Sequence, residues 1–418
     1  MENKSKGKAV ERIYALLDER SFVEIGQAVT ARSTDFQLDK VETPSDGVVT
    51  GYGLINGCPV YVYSQDAQVL GGSIGEMHAR KIVNLYDLAI KTGVPVIGMI
   101  DCAGIRLQES TDALHAFGMI YKKQAEASGV ILQISAIFGN CGGGLSVFTT
   151  LTDFTLMEEK GQLFVNAPNA IEGNRKEVLN SASAVFQSKE AGTVDFVGNE
   201  TEVFEEIRKL TQIFPSNYKD QSKVIDCVDD LNRLCENISA GNGKEILIQI
   251  ADQNEFVELK KDYGNDMAIG FIRLNGETIG CIANKEERIS AQGAKKAASF
   301  VKLCDAFGIG ILTVTDTVGF VAEIEQEKEL SQAIGAMTGA FVQATVPKVN
   351  VISKKAFGSA YVSMNSKSIG ADFVYAWSDA KIGMMEADMA VKIMYPGANA
   401  DVLKEKAKEY EELQSDVY

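Results

Sequence analysis

The chain has 418 residues, 45% hydrophobic and 23% charged, a composition typical of globular proteins with substantial cores. Its formal net charge of −16 argues against nucleic acid as a partner, because phosphate binding needs a basic surface. Seven scattered cysteines without a C-x-x-C pair argue against a disulfide framework or a zinc site. With an amphipathic N-terminus and no apolar run of about 20 residues, we expect a soluble, cytoplasmic protein.

The first half of the sequence predicts alternating helices and strands. Val10, Ile13 and Leu16 at helical spacing predict a helix over 8–20. Alternating runs on either side of Asn56-Gly57 predict a β-hairpin within 47–69. Further helices are expected at 75–92, 112–128, 175–191 and 200–211, and buried strands at 94–100 and 130–138. This alternation is typical of α/β proteins, which bind ligands where strands end.

A polar, turn-rich segment over 214–222 is predicted to link this half to the second one. The second half then predicts a similar order of elements. Helices are expected at 226–238, 292–307, 327–345 and 401–418, and strands at 246–259, 267–283, 309–315 and 348–353.

The second half also repeats the first in sequence. Residues 18–25 (DERSFVEI) return as 252–259 (DQNEFVEL), and Asp101 and Asp316 lie 215 positions apart (316 − 101). At the same offset, Gly143-Gly144 aligns with Gly358-Ser359. The repeat predicts two related domains, each with an equivalent turn.

A glycine-rich turn directly follows a strand in each half, as 142–144 (GGG) and within 356–361 (AFGSAY). Glycine lets the backbone turn sharply and brings ligands close to bare amides. Two such amides can hold a developing oxyanion, and one lost donor typically costs ~3 kcal/mol in the transition state. A tight turn without a ligand is the alternative, but its duplication favours a pair of binding sites.

Residues for side-chain catalysis are sparse. The two histidines, His78 and His115, lie on separate helices away from any Ser or Cys nucleophile, and no P-loop motif is present. Cys141 is predicted to be a packed neutral thiol. Three carboxylates are predicted to be solvated helix charges: Glu76, Glu109 and Asp112. An enzyme built this way would stabilise charge through its backbone and let the substrates supply the base.

Ordered motifs along nearly the whole chain then point to a family. They include 44–53 (PSDGVVTGYG), 71–78 (GGSIGEMH), 91–97 (KTGVPVI), 344–348 (ATVPK) and 356–361 (AFGSAY). Through them the chain resembles the biotin-dependent acyl-CoA carboxyltransferases, of the type of the propionyl-CoA carboxylase β subunit and the methylmalonyl-CoA decarboxylase α subunit.

This resemblance implies two crotonase-like α/β domains, 1–221 on the acyl-CoA side and 222–418 on the biotin side. The family's active site lies between such domains of different subunits, in a homo-hexamer. Biotin would arrive on a separate biotin carboxyl carrier protein, since no A-M-K-M-like site is present. A biotin carboxylase or a membrane decarboxylase subunit would complete the complex. Biotin exchanges the carboxyl group and takes the α-proton, so no protein base is needed.

Residue by residue, the resemblance implies a thioester oxyanion hole at Gly143 and Gly144 and a biotin hole at Ser359 and Ala360. Substrate contacts are implied for four neighbours: Gly142, Gly358, Tyr361 and Val362. An aliphatic residue at position 362 resembles the methylmalonyl-CoA decarboxylases and implies a C3 to C4 acyl-CoA, such as propionyl-CoA or methylmalonyl-CoA.

Two segments depart from the family pattern. Its D-S-G-G-A-R motif is here 101–106 (DCAGIR), and its M-G-x-E-G-A run is replaced at 385–390 (MEADMA). They leave open a non-catalytic relative that serves assembly. A biotin-independent crotonase-like hydratase or isomerase is the other alternative, and it would need a pair of acidic residues beside a glycine turn. The direction of the reaction is also left open.

Overall fold

The computed structural model describes residues 7–236 and 238–414 and has an α/β fold. The chain divides into two compact units: unit 1 extends to Ser222, and unit 2 begins at Lys223. The border predicted between residues 221 and 222 stands one position before this division. Among the described residues, no helix has the length and apolar character that a membrane span requires.

Unit 1 is built on an eight-stranded sheet in the order β1-β2-β3-β4-β5-β6-β8, with β7 also paired to β5. Strands β1 to β3 pair antiparallel, and the rest pair parallel. The strands are β1 (Val23–Ile25), β2 (Val48–Ile55), β3 (Cys58–Gln65), β4 (Val96–Cys102), β5 (Gln133–Gly142), β6 (Phe154–Glu158), β7 (Gln162–Phe164) and β8 (Phe196–Gly198). The helices are α1 (Lys8–Leu16), α2 (Glu76–Thr92), α3 (Ser110–Ala127), α4 (Ser146–Thr150), α5 (Ala184–Lys189) and α6 (Glu200–Ile213).

The core of unit 1 forms where α2 and α3 cover the parallel strands. Val96 and Ile100 of β4, Ile137 of β5 and Ile82 of α2 belong to one buried cluster. Helix α2 stops at Gly93, which is left-handed at φ +69° and donates its amide to Ala89 O. This stop turns the chain directly into β4, whose far end lies beside the glycine turn.

Unit 2 has a sheet in the order β16-β15-β13-β11-β10-β9, with β17 also paired to β15, and a separate pair of β12 and β14. Its strands are β9 (Val257–Leu259), β10 (Met267–Leu274), β11 (Glu277–Asn284), β12 (Arg288–Ile289), β13 (Ile311–Thr317), β14 (Gly319–Phe320), β15 (Lys348–Phe357), β16 (Phe373–Ala376) and β17 (Lys381–Gly383). Its helices are α7 (Gly243–Ile250), α8 (Ala291–Ala306), α9 (Ile324–Gln343), α10 (Gly358–Ser363), α11 (Ala387–Met394) and α12 (Ala400–Gln414).

The sequence repeat reappears as repeated hydrogen bonds. The Asp18 carboxylate accepts the amides of the Asn56-Gly57 turn at 2.9 and 2.8 Å. Asp252 accepts the equivalent amides of Asn275-Gly276 at 3.1 and 2.7 Å. Both aspartates therefore fix the first hairpin of their unit, which explains why the motif that contains them occurs twice.

The helix predicted over 175–191 is wrong for most of its length, since only α5 is helical there. The side chain of Asn169 accepts the amide of Lys176 at 2.7 Å, and Asn174 donates to the carbonyls of Pro168 and Leu179. Local side-chain bonds of this kind offer the backbone an alternative to helical pairing. The segment before α5 is consequently a series of turns.

The helix predicted over 226–238 is wrong for residues 226–236, residue 237 lies outside the described residues, and Ile238 begins a short 3-10 turn. Asp229 and Asp230 instead accept the amides of Gln253 and Asn232, as is typical of turns. The strand predicted over 246–259 is also wrong in part, because α7 occupies its first residues. Asn242 and Glu245 form a reciprocal capping box, a pattern readable as N-x-x-E in the sequence.

Candidate active site

The glycine turn of unit 1 begins where β5 ends. Gly143 has φ +64°, and a Cβ placed on it would meet no heavy atom within 4 Å. A Cβ on Gly142 would instead lie 2.5 Å from the Phe164 ring. Gly142 is therefore required by packing, whereas Gly143 is required by backbone conformation and opens onto free space.

The amides of this turn are available to a ligand. Residues 143–145 form a single 3-10 turn that continues into α4. Inside this turn the Gly143 and Gly144 amides have no acceptor, whereas the Leu145 N–H donates to Gly142 O as the first 3-10 bond. The turn thus presents consecutive amides beside the free space at Gly143, an arrangement that can bind an oxyanion.

Hydrogen bonds from two side chains hold the turn's carbonyls. Ser146 Oγ donates to Gly143 O at 2.7 Å, and the Tyr121 hydroxyl donates to Gly144 O. The Tyr121 ring packs edge-on against Phe117 and Phe148, with centroids 5.0 and 5.5 Å apart. The peptide planes of the turn are consequently fixed by groups on α3 and α4.

Unit 2 has the same turn between β15 and α10. Gly358 has φ +60°, and a Cβ on it would lie 3.0 Å from Met384 O, so only glycine fits without strain. Ser359 is exposed and Ala360 buried in the first turn of α10, where their amides precede the first intrahelical bond. Tyr361 is half-buried and Val362 is 39% exposed one residue further along.

The conformations of the two turns fix how they correspond. Gly143 and Gly358 lie 215 positions apart and share nearly the same positive φ. Gly144 therefore corresponds to Ser359, and Leu145 corresponds to Ala360. The two predicted amide pairs, Gly143 with Gly144 and Ser359 with Ala360, therefore start one residue apart when the repeats are aligned.

The departing segment 101–106 is an ordered part of the site's surroundings. Cys102 pairs in register with Cys141, just before the glycine turn. Ala103 donates its amide to Gly71 O at 2.9 Å, and the amide of Ile74 reaches Gly104 O at 2.9 Å. Backbone hydrogen bonds to residues 71–74 thus hold the segment in place despite its bulkier residues. Its strand pairing beside the glycine turn is preserved.

Arg106 anchors this segment from inside the protein. Its guanidinium is fully buried, 2.6 Å from Asp46 Oδ1, 2.8 Å from Glu109 Oε1 and 2.7 Å from Ser73 O. Such a buried charge persists only because it is paired and fully hydrogen-bonded. Burial is the dominant influence on Asp46 and raises the pKa of its carboxyl despite the nearby guanidinium.

The prediction that Glu76 and Glu109 are solvated helix charges is wrong. Both are buried, and Glu109 Oε2 accepts the amide of Glu76 at 2.6 Å, which caps the start of α2. Glu76 also pairs with the exposed Arg80 at 2.7 Å. Asp112 is exposed, as predicted. The bond between Glu109 and the Glu76 amide joins residues 33 positions apart, so helical spacing gave no sign of it.

The remaining candidate nucleophile and base are neutral structural groups. Cys141 is buried, its Sγ lies 3.5 Å from Leu145 O, and burial raises the pKa of the thiol, which confirms the predicted neutral thiol. His78 is buried in α2, where Nδ1 donates to Asp46 O at 2.9 Å and Nε2 accepts from the Gln65 amide at 3.2 Å. Burial, reinforced by Arg106, lowers the pKa of His78 to about 3.

His78 should make unit 1 sensitive to acid. Its folded pKa of about 3 lies below the unfolded value of 6.5, so the unfolded chain binds the extra proton and stability falls as pH drops through that window. At about 1.4 kcal/mol per pH unit, the free energy of unfolding should fall by roughly 2–3 kcal/mol from this group between pH 6 and 4.

Urea denaturation followed by far-UV circular dichroism at both pH values measures this loss. In His78→Gln the pH-dependent part should shrink by that amount, whereas His115→Gln, which alters an exposed histidine, should keep it. Equal pH dependence in all three proteins would show that His78 is not the titrating group.

Each unit also carries one aspartate where a central strand ends. Asp101 pairs with the buried Arg12 at 3.2 Å, and Asp316 accepts the amide of Lys355 at 3.2 Å. Burial raises the pKa of Asp316. Each is a single carboxylate already bound by the protein, which differs from the acidic pair that a hydratase or isomerase would require.

Three candidate metal ligands of unit 2 lie within 4.8 Å of one another: Cys227, Asp229 and Asp252. Both carboxylates accept backbone amides, Asp229 from Gln253 and Asp252 from the Asn275-Gly276 turn. These bonds explain the cluster as turn capping.

Comparisons with known proteins extend over almost the whole chain. The carboxyl transferase domain profile matches residues 2–418. A propionyl-CoA carboxylase β chain of Roseobacter denitrificans is 37% identical over 430 residues, covering 98% of this chain and 84% of the relative. A methylmalonyl-CoA decarboxylase subunit α of Propionigenium modestum is 38% identical over 409 residues, 93% and 79% of the two chains. The crystal structure of transcarboxylase 12S with methylmalonyl-CoA and methylmalonic acid bound has a TM-score of 0.93 at 32% identity, covering 98% of this chain and 83% of that one.

Proposed function

Because this chain belongs to the carboxyl transferase domain family, we propose that it moves a carboxyl group between carrier-bound biotin and a short acyl-CoA. The observation that carries the proposal is the pair of equivalent turns at Gly143 and Gly358, each presenting unpaired amides after a strand. One turn would serve each reacting carbonyl oxygen, with unit 1 on the acyl-CoA side and unit 2 on the biotin side.

On the acyl-CoA side, the chain's contribution would be electrostatic. The amides of Gly143 and Gly144 would donate to the thioester oxygen as it gains charge when the α-carbon loses its proton or carboxylate. The nearby Asp101 is paired with Arg12, and His78 is neutral and buried. The state of these two side chains supports a mechanism in which no side chain of unit 1 removes the α-proton of the acyl-CoA.

On the biotin side, the amides of Ser359 and Ala360 would bind the ureido oxygen. The site fits that group, because a neutral urea oxygen accepts N–H donors and Ser359 lies exposed at the start of α10. When bound, biotin supplies the carboxyl carrier and the base. Gly358 and Tyr361 flank these amides and would contact the incoming biotin. Gly142 would have the corresponding place beside acyl-CoA in unit 1.

Decarboxylation with free biotin tests the proposal. We expect the protein to convert methylmalonyl-CoA to propionyl-CoA when free biotin is added, measured by chromatography of the CoA esters. Omitting biotin is the control, because a biotin-independent crotonase-like enzyme would still change the substrate. A non-catalytic assembly subunit would leave methylmalonyl-CoA intact in both reactions.

We expect the enzyme to prefer methylmalonyl-CoA over malonyl-CoA only modestly, through apolar contact of the additional methyl group with Val362. Burying one additional methyl group contributes about 0.8 kcal/mol, so turnover of methylmalonyl-CoA should exceed that of malonyl-CoA about fourfold in kcat/KM. Val362→Asp should remove this preference by placing a charge against apolar surface. Val402→Asp is the matched control, since Val402 is also 39% exposed but lies on α12. A preference for malonyl-CoA in the unaltered protein would refute this assignment of the pocket.

The assembly is proposed from the same relationships. Transcarboxylase 12S forms a hexamer, and we propose a homo-hexamer for this chain, measurable by mass photometry. We further propose a separate biotin carboxyl carrier protein as partner, with a biotin carboxylase or a membrane decarboxylase subunit in the complex, and a cytoplasmic location.

A further inference from the structure

The peptide between Gly144 and Leu145 is held from one side by a phenol. Its carbonyl accepts a hydrogen bond from the Tyr121 hydroxyl, and its N–H is the amide of Leu145. In a planar trans peptide the C=O and N–H bonds point in opposite directions. A donor that fixes the carbonyl therefore also fixes the Leu145 N–H, which donates to Gly142 O as the first bond of the 3-10 turn. The carbonyl of Gly142 shares its peptide with the Gly143 N–H.

Tyr121 is itself held in place by packing. Phe117 and Phe148 contact its ring edge-on and stack on each other with centroids 5.0 Å apart. A Cβ on Gly144 would lie 3.1 Å from the hydroxyl, so the glycine leaves room for the phenol to approach. Burial raises the pKa of Tyr121, which keeps the phenol protonated and donating at neutral pH.

The turn of unit 2 lacks this support. The position equivalent to Tyr121 at the repeat offset of 215 is Ala336 on α9. In residues 238–414, the Ser359 carbonyl accepts no side-chain hydroxyl, and the Thr338 hydroxyl reaches Ser363 instead, at 3.0 Å. Of the two turns, the one assigned to acyl-CoA is thus the one whose carbonyl is bound by a tyrosine hydroxyl.

We propose that Tyr121 is a positioning residue for carboxyl transfer, whose hydroxyl fixes the Gly144–Leu145 peptide and, through its bond to Gly142 O, the Gly143 amide that meets the thioester oxygen as it becomes negative. This inference rests on the proposed function. Hydrogen bonds in series polarise one another, so the bond from the phenol also strengthens the Gly143 N–H, which ends this series, as a donor. Because the benefit grows with charge on the substrate oxygen, it acts on kcat more than on KM.

Removing the hydroxyl alone tests the proposal. In Tyr121→Phe, which keeps the ring packing, kcat for biotin-dependent decarboxylation of methylmalonyl-CoA should fall on the order of tenfold, with KM within about twofold. Tyr218→Phe is the matched control, because it removes a tyrosine hydroxyl from a half-exposed position elsewhere in unit 1. An unchanged kcat in Tyr121→Phe would overturn the proposal.

Replacing Tyr121 by 3-fluorotyrosine keeps the side chain's shape and makes its hydroxyl a stronger donor. We expect kcat to rise above that of the unaltered protein with KM unchanged, an effect that a purely structural tyrosine would not produce. An unchanged or lower kcat in the fluorinated protein would overturn the role of the hydroxyl, even if Tyr121→Phe failed to fold. Absence of turnover by the unaltered protein would instead refute the proposed function itself.

Discussion

Ser359→Pro should lower carboxyl transfer about a hundredfold or more. Proline has no N–H, so the substitution deletes one of the two donors proposed for the biotin oxygen, and such a loss typically costs 10²–10³ in rate. Ser359 is the second residue of α10, where proline removes no intrahelical hydrogen bond. The fold should therefore persist while kcat/KM for free biotin falls in the decarboxylation assay.

Ser359→Gly supplies the matched control, since it removes the hydroxyl and keeps the amide. Its rate should stay within a few-fold of the unaltered protein. A large loss with glycine would show that the hydroxyl takes part and that a backbone-only mechanism is wrong. Full activity with proline would remove Ser359 from the site.

Gly143→Val should also abolish most of the activity, by on the order of a hundredfold or more. The structure places the cause in the backbone: a Cβ at this position meets nothing, but a β-branched residue is strained at φ +64°. Relief of that strain rotates the turn and displaces the amides of Gly143 and Gly144 from the thioester oxygen. Initial rates with methylmalonyl-CoA and biotin measure the loss.

Gly57→Val separates strain from function. Gly57 has φ +76° in a hairpin turn, and its added Cβ would also meet nothing within 4 Å. Both variants should lose about 1–2 kcal/mol of folding free energy, whereas only the change at Gly143 should stop turnover. Equal activity in the two folded variants would refute the oxyanion assignment for unit 1.

Features set by local chemistry were predictable from the sequence. The hairpin at Asn56-Gly57, the two glycine turns and the repeat depend on residues close in the chain, and the structure contains each of them. The helix over 226–238 failed because its apolar spacing suits a helix, while Asp229 and Asp230 bind backbone amides instead. The spacing of apolar residues shows only which face of a helix could be buried. It does not show whether side chains form hydrogen bonds that compete with the helix.

Long-range contacts account for what sequence reasoning missed around the site. Arg106 meets Asp46 across 60 positions, and Tyr121 meets Gly144 across 23. No pattern along the chain encodes either encounter, because each depends on how strands and helices are arranged.

The open space at Gly143 and the exposed amide at Ser359 have a consequence for how this protein would respond to systematic mutagenesis. A main-chain donor survives every side-chain truncation, so alanine scanning would pass over Ser359 and assign it no importance. A saturation library would show the reverse of a side-chain catalyst's pattern. Gly143 would tolerate almost nothing, whereas Ser359 would accept most residues and reject proline alone.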